Sequence, residues 1–166
     1  MILRKTISKD INKVLDMYKQ GRLSLKKDGV DQWQNEGPSY TSLISDIKEG
    51  YSYVLEDDNK IVGTLAIVDK PEPTYFDIEG SWLNELPYLT VHRFTVSHLH
   101  RNKGYGFNMF KETEKLCIEK GFNNIRVDTH KDNIKMNSLL IKLGYSYCGI
   151  IKLENGDLRN AYQKEV

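Results

Sequence analysis

The stretch His92–Met109, HRFTVSHLHRNKGYGFNM, constrains the fold of this chain more than any other. Its first residues, 93–96, are mostly β-branched or aromatic and are typical of a strand. A polar turn follows, and Gly104 and Gly106 then open a helical pattern. A glycine-rich turn at a helix N-terminus presents free backbone N–H groups and the positive end of the helix dipole to an anion. The stretch therefore predicts a strand–turn–helix unit with an anion site, and we expect the anion to be a diphosphate.

Charge and cysteine content limit the possible partners of the chain. Its 166 residues are enough for one domain with its own core. With 24 basic and 23 acidic residues the net charge is +1, so we expect no nucleic-acid partner and no membrane partner. No stretch approaches the roughly 20 apolar residues of a spanning helix. Cys117 and Cys148 are too few for a disulfide framework, which predicts a reducing, cytoplasmic location.

Apolar periodicity predicts the order β α α β β β α β α β β. The predicted strands are 2–7, 51–55, 61–68, 88–96, 124–129, 145–153 and 158–164. The predicted helices begin near Ser8, Pro38, Gly104 and Asn133, and they end at or just before Gly21, Gly50, Gly121 and Gly144. A right-handed β-α-β crossover makes the fourth and fifth strands parallel neighbours. The result is a mixed α/β sheet with helices on both faces.

Two long segments stand outside this regular pattern. Residues 22–38 are irregular, and residues 69–87 form a long connection that holds three of the four prolines. A connection of this length in a compact domain is usually functional. We expect both segments to determine which molecule the protein acts on.

The glycine turn, written R-x-x-G-x-G over residues 101–106, differs from two well-known phosphate motifs. A P-loop requires G-x-x-x-x-G-K-[ST], which is absent, and the dinucleotide fingerprint requires a third glycine and an early position in the chain. Arg101 and Lys103 add cationic donors suited to phosphate oxygens. The alternative is an ordinary glycine-rich turn with two solvated basic residues.

Taken together, these features resemble the Gcn5-related N-acetyltransferase (GNAT) family along essentially the whole chain. Arg101, Gly104 and Gly106 match the family's acetyl-CoA signature [QR]-x-x-G-x-[GA]. Residues 93–96 resemble the family's fourth strand. Asn133 and the later Lys142-Leu143-Gly144-Tyr145 are similar to the two ends of its fourth helix. The resemblance implies one N-acetyltransferase domain over residues 1–166, with a mostly antiparallel sheet whose parallel fourth and fifth strands splay apart.

The resemblance also implies acetyl-CoA as co-substrate, without a metal. Its pantetheine arm would fill the splay as a pseudo-strand, and its diphosphate would lie on the glycine turn. A backbone N–H near Phe94 or Thr95 would stabilise the oxyanion during direct transfer in a ternary complex. The residues implied to hold the coenzyme are Phe94, Thr95, Val96, Arg101, Asn102, Lys103, Gly104, Tyr105, Gly106, Phe107 and Asn133.

Proton transfer is the least determined part of the implied reaction. Many family members carry a tyrosine acid in the pattern Y-x-K-x-G-[FY], and Leu140 takes that place here. Tyr145, Tyr147 or a water could replace it. The candidate bases, which lie on strand 4 or at the end of strand 5, are His92, Asp128 and His130. Each of them could instead be an ordinary solvated or hydrogen-bonded residue, and a carboxylate could also act through water.

Aromatic and acidic residues in the two irregular segments are the candidate acceptor site. They are Trp33, Tyr75, Glu79, Trp82 and Tyr88, which could hold a cationic amine or could instead cover the edge of the core. The leading hypothesis is an N-acetyltransferase for a primary amine on a small molecule, a protein N-terminus or a lysine. The alternatives are a CoA-binding sensor or interaction module without catalysis, and transfer of a longer acyl chain. The C-terminal strands could also pair across a homodimer.

Overall fold

A computed structural model describes residues 1–166 as one eight-stranded sheet flanked by four α-helices. The strands are β1 (Ile2–Lys5), β2 (Ser52–Asp57), β3 (Lys60–Val68), β4 (Glu79–Gly80), β5 (Leu89–Val96), β6 (Asn124–Thr129), β7 (Ser146–Lys152) and β8 (Leu158–Glu165). The helices are α1 (Ile11–Lys27), α2 (Tyr40–Lys48), α3 (Tyr105–Glu119) and α4 (Ile134–Lys142). None of the helices combines the length and hydrophobicity needed to cross a bilayer.

The sheet is open and mostly antiparallel, which confirms the predicted fold class. Its strand order is β1-β2-β3-β5-β6-β8-β7-β4, and only β5 and β6, the predicted fourth and fifth strands, run parallel. These two pair only where Leu89–Val91 face Ile125–Val127. Residues 92–96 of β5 therefore have no strand partner on the β6 side. Because alternate backbone groups of a strand point to each neighbour, this leaves unpaired polar groups along the edge of an opening between the strands.

A β-bulge shapes β5 at the point where the opening begins. Arg93 and Phe94 together oppose the single residue Leu65 of β3, because Thr64 pairs with Thr95 and Ala66 with His92. Arg93 has a left-handed backbone with φ 53°, and its guanidinium binds Asp46 of α2 through contacts of 2.7 Å and 2.6 Å. A bulge re-aims the residues that follow it.

Alternate residues of the strands face two separate cores, as a sheet with helices on both faces requires. The larger core lies under α3 and α4 and includes Phe110, Leu140, Val91 and Val127. The second lies under α1 and α2 and joins their side chains to Val54. A third cluster packs the connection 69–87 on the same side of the sheet as α1 and α2, and its members are Tyr75, Trp82, Cys148, Ile151 and Ala161.

The first helix contradicts the sequence prediction, since α1 continues past Gly21 to Lys27. Gly21 does not end the helix but lies at a close packing contact. A Cβ at this residue would lie 3.1 Å from the Trp33 ring and 3.3 Å from the Thr95 methyl group. The absent side chain thus lets the segment between α1 and α2 pack closely on the helix, which compensates for the low helix propensity of glycine.

The long connection 69–87 holds more structure than the sequence predicted. A 3-10 turn spans Pro73–Tyr75, and β4 adds two residues to the outer edge of β7. Gly80 and Gly149 face each other across this pair with φ values of 136° and 143°. A Cβ on either glycine would overlap the opposite backbone, so only glycine allows the contact.

Candidate active site

The turn before α3 presents a row of free backbone donors. After β5 the chain makes one 3-10 turn, and Gly104 with φ 77° then leads into the 15-residue helix α3. No N–H group of residues 102–107 donates to a protein acceptor, and the first bond of the helix runs from Asn108 N–H to Gly104 O at 3.0 Å. Arg101 and Lys103 are exposed and form no ion pair. The turn is therefore an open, positively polarised cradle of the kind that binds phosphate groups.

Gly106 and Tyr105 fix this cradle against the sheet. A Cβ on Gly106 would lie 3.3 Å from both the Phe94 ring and Leu139, so the first turn of α3 lies close to β5 because this position has no side chain. The Tyr105 hydroxyl donates to Asp57 at 2.7 Å, which ties the helix to the β2–β3 turn. Phe107 follows and packs at the border of the main core.

The residues after the bulge alternate between the two sides of the sheet. Phe94 and Val96 pack against the core under α3, and the Phe94 ring lies 5.0 Å from Phe110. Thr95 is buried on the opposite side, next to Gly21 of α1. The free backbone edge of β5 therefore runs from the bulge to Val96, and the 3-10 turn His98–His100 joins it to the glycine cradle.

Asn133 lies on the other side of the opening, where it caps α4. Its Oδ1 accepts from Met136 N–H at 3.2 Å, and its Nδ2 donates to Gln32 Oε1 at 3.0 Å. The same oxygen of Gln32 accepts from Thr129 Oγ1 at 3.2 Å and from His130 N–H at 3.3 Å. The segment between α1 and α2 thereby reaches across to the ends of β6 and α4. Gln32 was missed because its bonds span about 100 residues of sequence.

His92 stands on β5 immediately before the bulge and is paired with Glu72. The His92 Nε2 atom lies 3.2 Å from Glu72 Oε2, and the other carboxylate oxygen accepts from Thr74 Oγ1 at 3.0 Å. The hydrogen bond from His92 lowers the pKa of Glu72 below its usual range. Glu72 was also missed, although its position between Pro71 and Pro73 was a signal that its backbone is fixed.

Asp128 occupies the position on β6 that corresponds to His92 on β5. Val91 and Val127 are paired in parallel register, so the residues that follow them, His92 and Asp128, lie side by side on one face where the strands separate. The Tyr75 hydroxyl donates to Asp128 Oδ2 at 2.7 Å. Burial and the Asp128 carboxylate raise the pKa of Tyr75 well above its ordinary value, so Tyr75 is a permanent donor.

Comparison with known proteins agrees with this geometry. The profile of the acetyltransferase (GNAT) family matches residues 17–145. The chain belongs to the GNAT family. A GNAT acetyltransferase from Streptococcus agalactiae superposes with a TM-score of 0.90 at 32% identity, over 99% of this chain and 95% of that one. One from Listeria monocytogenes, at 24% identity, shares the fold with a TM-score of 0.78 over 99% and 94% of the two chains.

A functionally named relative matches over a shorter region. Streptothricin acetyltransferase of Escherichia coli is 25% identical over 100 residues. These residues are 59% of this chain and 56% of the relative, so the match spans little more than half of either protein.

Of the two tyrosines predicted as candidate acids of this GNAT protein, Tyr145 is buried and Tyr147 is exposed. Leu140 is fully buried in the main core, and Tyr145 lies in the same core with its ring 5.6 Å from Phe110. The Tyr145 hydroxyl has no hydrogen-bond partner, and burial raises its pKa. Tyr147 is 55% exposed and packs edge-on against Tyr162. His130 follows β6, and its Nδ1 accepts from the backbone of Asp132 at 3.1 Å.

Two of the five predicted acceptor residues of this GNAT protein, Trp82 and Tyr88, lie against one of its own cations, and Tyr75 packs against both of them. The Arg126 guanidinium lies 4.1 Å from the Trp82 ring centre and 4.0 Å from that of Tyr88, and Trp82 in turn donates to the Tyr75 carbonyl. Arg126 also donates to the Asn84 carbonyl at 2.7 Å. Arg126 and the three aromatic residues line a cavity of about 450 Å³ at the N-terminal end of the β5–β6 pair, opposite the splay.

The other two predicted acceptor residues lie elsewhere. Glu79 is exposed on β4, where it pairs with Ile150. Trp33, with φ 67°, packs on α1 beside Tyr18. The five residues therefore do not form one site, and only Tyr75 reaches the opening, through its bond to Asp128.

Proposed function

We propose that the protein transfers an acetyl group from acetyl-CoA to a primary amine, by direct attack of the amine in a ternary complex. One observation carries this proposal. The free N–H groups of residues 102–107 and the unpaired edge of β5, joined by one 3-10 turn, together form a single set of donors and acceptors. Its two parts suit the two halves of the coenzyme, because a cradle of N–H groups favours a diphosphate and a free strand edge favours an amide-bearing chain.

In this proposal each predicted cofactor residue has a defined task. Backbone groups of Phe94, Thr95 and Val96 pair with the pantetheine arm, and the diphosphate binds residues 102–107 with Arg101 and Lys103 beside it. A backbone N–H at the bulge stabilises the oxyanion. Asn133, whose Nδ2 hydrogens are donated to Gln32 and Thr129, closes the far side of the opening through its cap on α4. Acetyl-CoA supplies the activated thioester, and no metal is required.

His92 is the proposed base. The acceptor arrives as an ammonium ion, and two protons must leave its nitrogen during the reaction. The first passes to the imidazole and then to solvent, which frees the lone pair that attacks the thioester carbonyl. The second ends on the sulfur of the departing thiolate. Asp128 keeps one oxygen free of hydrogen bonds, and we propose that it binds the ammonium group before the transfer.

Isothermal titration with acetyl-CoA tests the binding part of the proposal. We expect saturable binding by the wild-type protein and none by Gly106→Glu, since a side chain there clashes with Phe94 and Leu139, displaces the first turn of α3 and places a negative charge beside the cradle. Ile118→Glu is the matched control because it adds the same charge to the same helix, at a position that is 58% exposed near the far end. Absence of binding at millimolar acetyl-CoA, or equal affinity in wild type and Gly106→Glu, would refute the cofactor site.

Thiol release with a panel of amines tests the transfer. Streptothricin is the first acceptor to include because a relative is named for it, followed by polyamines, lysine peptides and peptides with free N-termini. The second candidate function, a CoA-binding module without catalysis, is favoured by the buried Leu140 at the position of the usual acid. Binding of acetyl-CoA without release on any amine would support that candidate.

Two further properties follow as proposals. The free thiols of Cys117 and Cys148 support a reducing, cytoplasmic location. The outer edge of β7 is covered by β4 only at Gly149 and Ile150, which leaves backbone groups for the proposed homodimer. Size-exclusion chromatography with light scattering measures the oligomeric state.

A further inference from the structure

We infer that Glu72 is a positioning residue that fixes the tautomer of His92, so that the imidazole presents its Nδ1 lone pair as the base. The inference rests on the proposed function and adds to it a residue from the connection between β3 and β5.

The first step concerns the hydrogen on the imidazole. A carboxylate only accepts hydrogen bonds, and Glu72 Oε2 lies 3.2 Å from His92 Nε2. Nε2 therefore carries the hydrogen. In a neutral imidazole the other nitrogen, Nδ1, is then the one that accepts a proton.

The second step concerns how Glu72 itself is held. Its Oε1 accepts from Thr74 Oγ1 at 3.0 Å and from Thr74 N–H at 3.4 Å, and its own N–H donates to the Tyr88 hydroxyl at 3.1 Å. Pro71 and Pro73 restrict the backbone on both sides. The carboxylate is thus fixed before any substrate binds.

The charged groups around His92 leave Glu72 as its one ionic partner. Arg93, the next residue on β5, is occupied by Asp46 of α2. Asp128 on the neighbouring strand accepts from Tyr75. Among these groups only the Glu72 carboxylate lies within ion-pair distance of the imidazole, so its loss would leave the tautomer unconstrained.

The proton balance gives Glu72 a second effect. When Nδ1 takes a proton from the acceptor ammonium, the ring becomes an imidazolium with both nitrogens protonated. The carboxylate stays ionised and keeps its bond to Nε2–H, so the positive charge forms beside a fixed negative one. The proton then leaves from Nδ1 to solvent and restores the original tautomer.

The decisive experiment reads the tautomer by NMR. Two-bond ¹H–¹⁵N correlations are recorded for the four histidines at a pH high enough to keep all the rings neutral. The signal that disappears in His92→Gln is assigned to His92. We expect a single Nε2–H tautomer for His92 in the wild type and a mixture in Glu72→Ala, while the other three histidines stay unchanged. An unchanged His92 pattern in Glu72→Ala would overturn the inference.

Kinetics provide the second readout. We expect Glu72→Ala to lower kcat by about 10- to 100-fold, a part of the 10²–10⁴-fold that a general base contributes, with KM for acetyl-CoA within about twofold. Thr74→Val, which removes the bond that steadies Glu72 and leaves the carboxylate in place, should lower kcat by a smaller factor of about two to five. Glu154→Gln, in the exposed β7–β8 turn, is the control and should match wild type.

The outcomes separate this inference from the proposed function. If the wild type acetylates no amine, the proposed function fails, and the NMR result still decides whether Glu72 sets the tautomer. If the wild type is active and Glu72→Ala keeps kcat within twofold, the inference fails and the function stands. Circular dichroism and acetyl-CoA affinity verify that each variant is folded.

Discussion

Removing the Asp46 carboxylate tests whether its ion pair with Arg93 holds the bulge of β5. The two contacts of 2.6 Å and 2.7 Å are charge-assisted hydrogen bonds, and each is worth about 1.5–3 kcal/mol when its partner is left buried. The Asp46 side chain is 9% exposed, but that of Arg93 is 24% exposed, so water recovers part of the loss. We therefore expect Asp46→Ala to lower the free energy of unfolding by about 2–3 kcal/mol.

Urea denaturation followed by circular dichroism measures this loss, and Tm should fall by about 5–10 °C. Arg93→Gly removes the same pair but also relieves the left-handed backbone, which costs a non-glycine residue about 1 kcal/mol. The double variant should then be less destabilised than the sum of the singles by about 1–3 kcal/mol. Asp16→Ala, an exposed acid on α1, serves as the control.

Two results would refute this reasoning. One is a change in the free energy of unfolding of Asp46→Ala below about 0.5 kcal/mol, which is the effect of an ordinary surface substitution. The other is full additivity in the double variant, which would mean that the two side chains stabilise the fold independently.

Other contacts give further expectations. Tyr75→Phe leaves Asp128 without its donor and should cost about 1–2 kcal/mol in urea unfolding, while an unchanged midpoint would contradict the contact. Gly80→Ala forces a Cβ into the opposing strand at φ 136° and should cost more than about 2 kcal/mol in the same assay. Burial alone would raise the pKa of Asp10, but hydrogen bonds led by the one from Arg4 outweigh it and leave this pKa lowered. The resulting stabilisation is present above the ordinary aspartate range near pH 4 and is lost as pH falls through the lowered value, so Asp10→Asn should flatten the decline in stability on acidification.

The fold was predictable where local patterns determine it. Alternation of apolar residues identified β5 and β6, and the glycine turn marked the start of α3 within a residue or two. Tertiary contacts decided the exceptions. Gly21 lies inside α1, where its missing side chain lets Trp33 pack against the helix. The short strand β4 forms because Gly80 can approach Gly149 closely. Neither contact leaves a periodic signal in the sequence.

The candidate site shows the same difference between residues set by local sequence and residues set by tertiary contacts. The cofactor cradle is a local structure, so its residues could be named from the sequence. Glu72 and Gln32 act on residues 20 and about 100 positions away, and no local pattern indicates which carboxylate or amide will reach an opening in the sheet. Arg126 is a basic residue within β6, and its aromatic partners Trp82 and Tyr88 were predicted as acceptor residues instead.

The bulge in β5 makes the length of this strand as important as its composition. Val91, Phe94 and Val96 all contact the core under α3, although the first two are three residues apart, because Arg93 is an extra residue in the ladder. Deleting one residue here, or inserting another, would exchange the two faces for every position between the change and the glycine turn. Over evolution β5 can therefore accept substitutions at many positions while gaps in it are eliminated, and an alignment of relatives should run through this strand without an insertion or deletion.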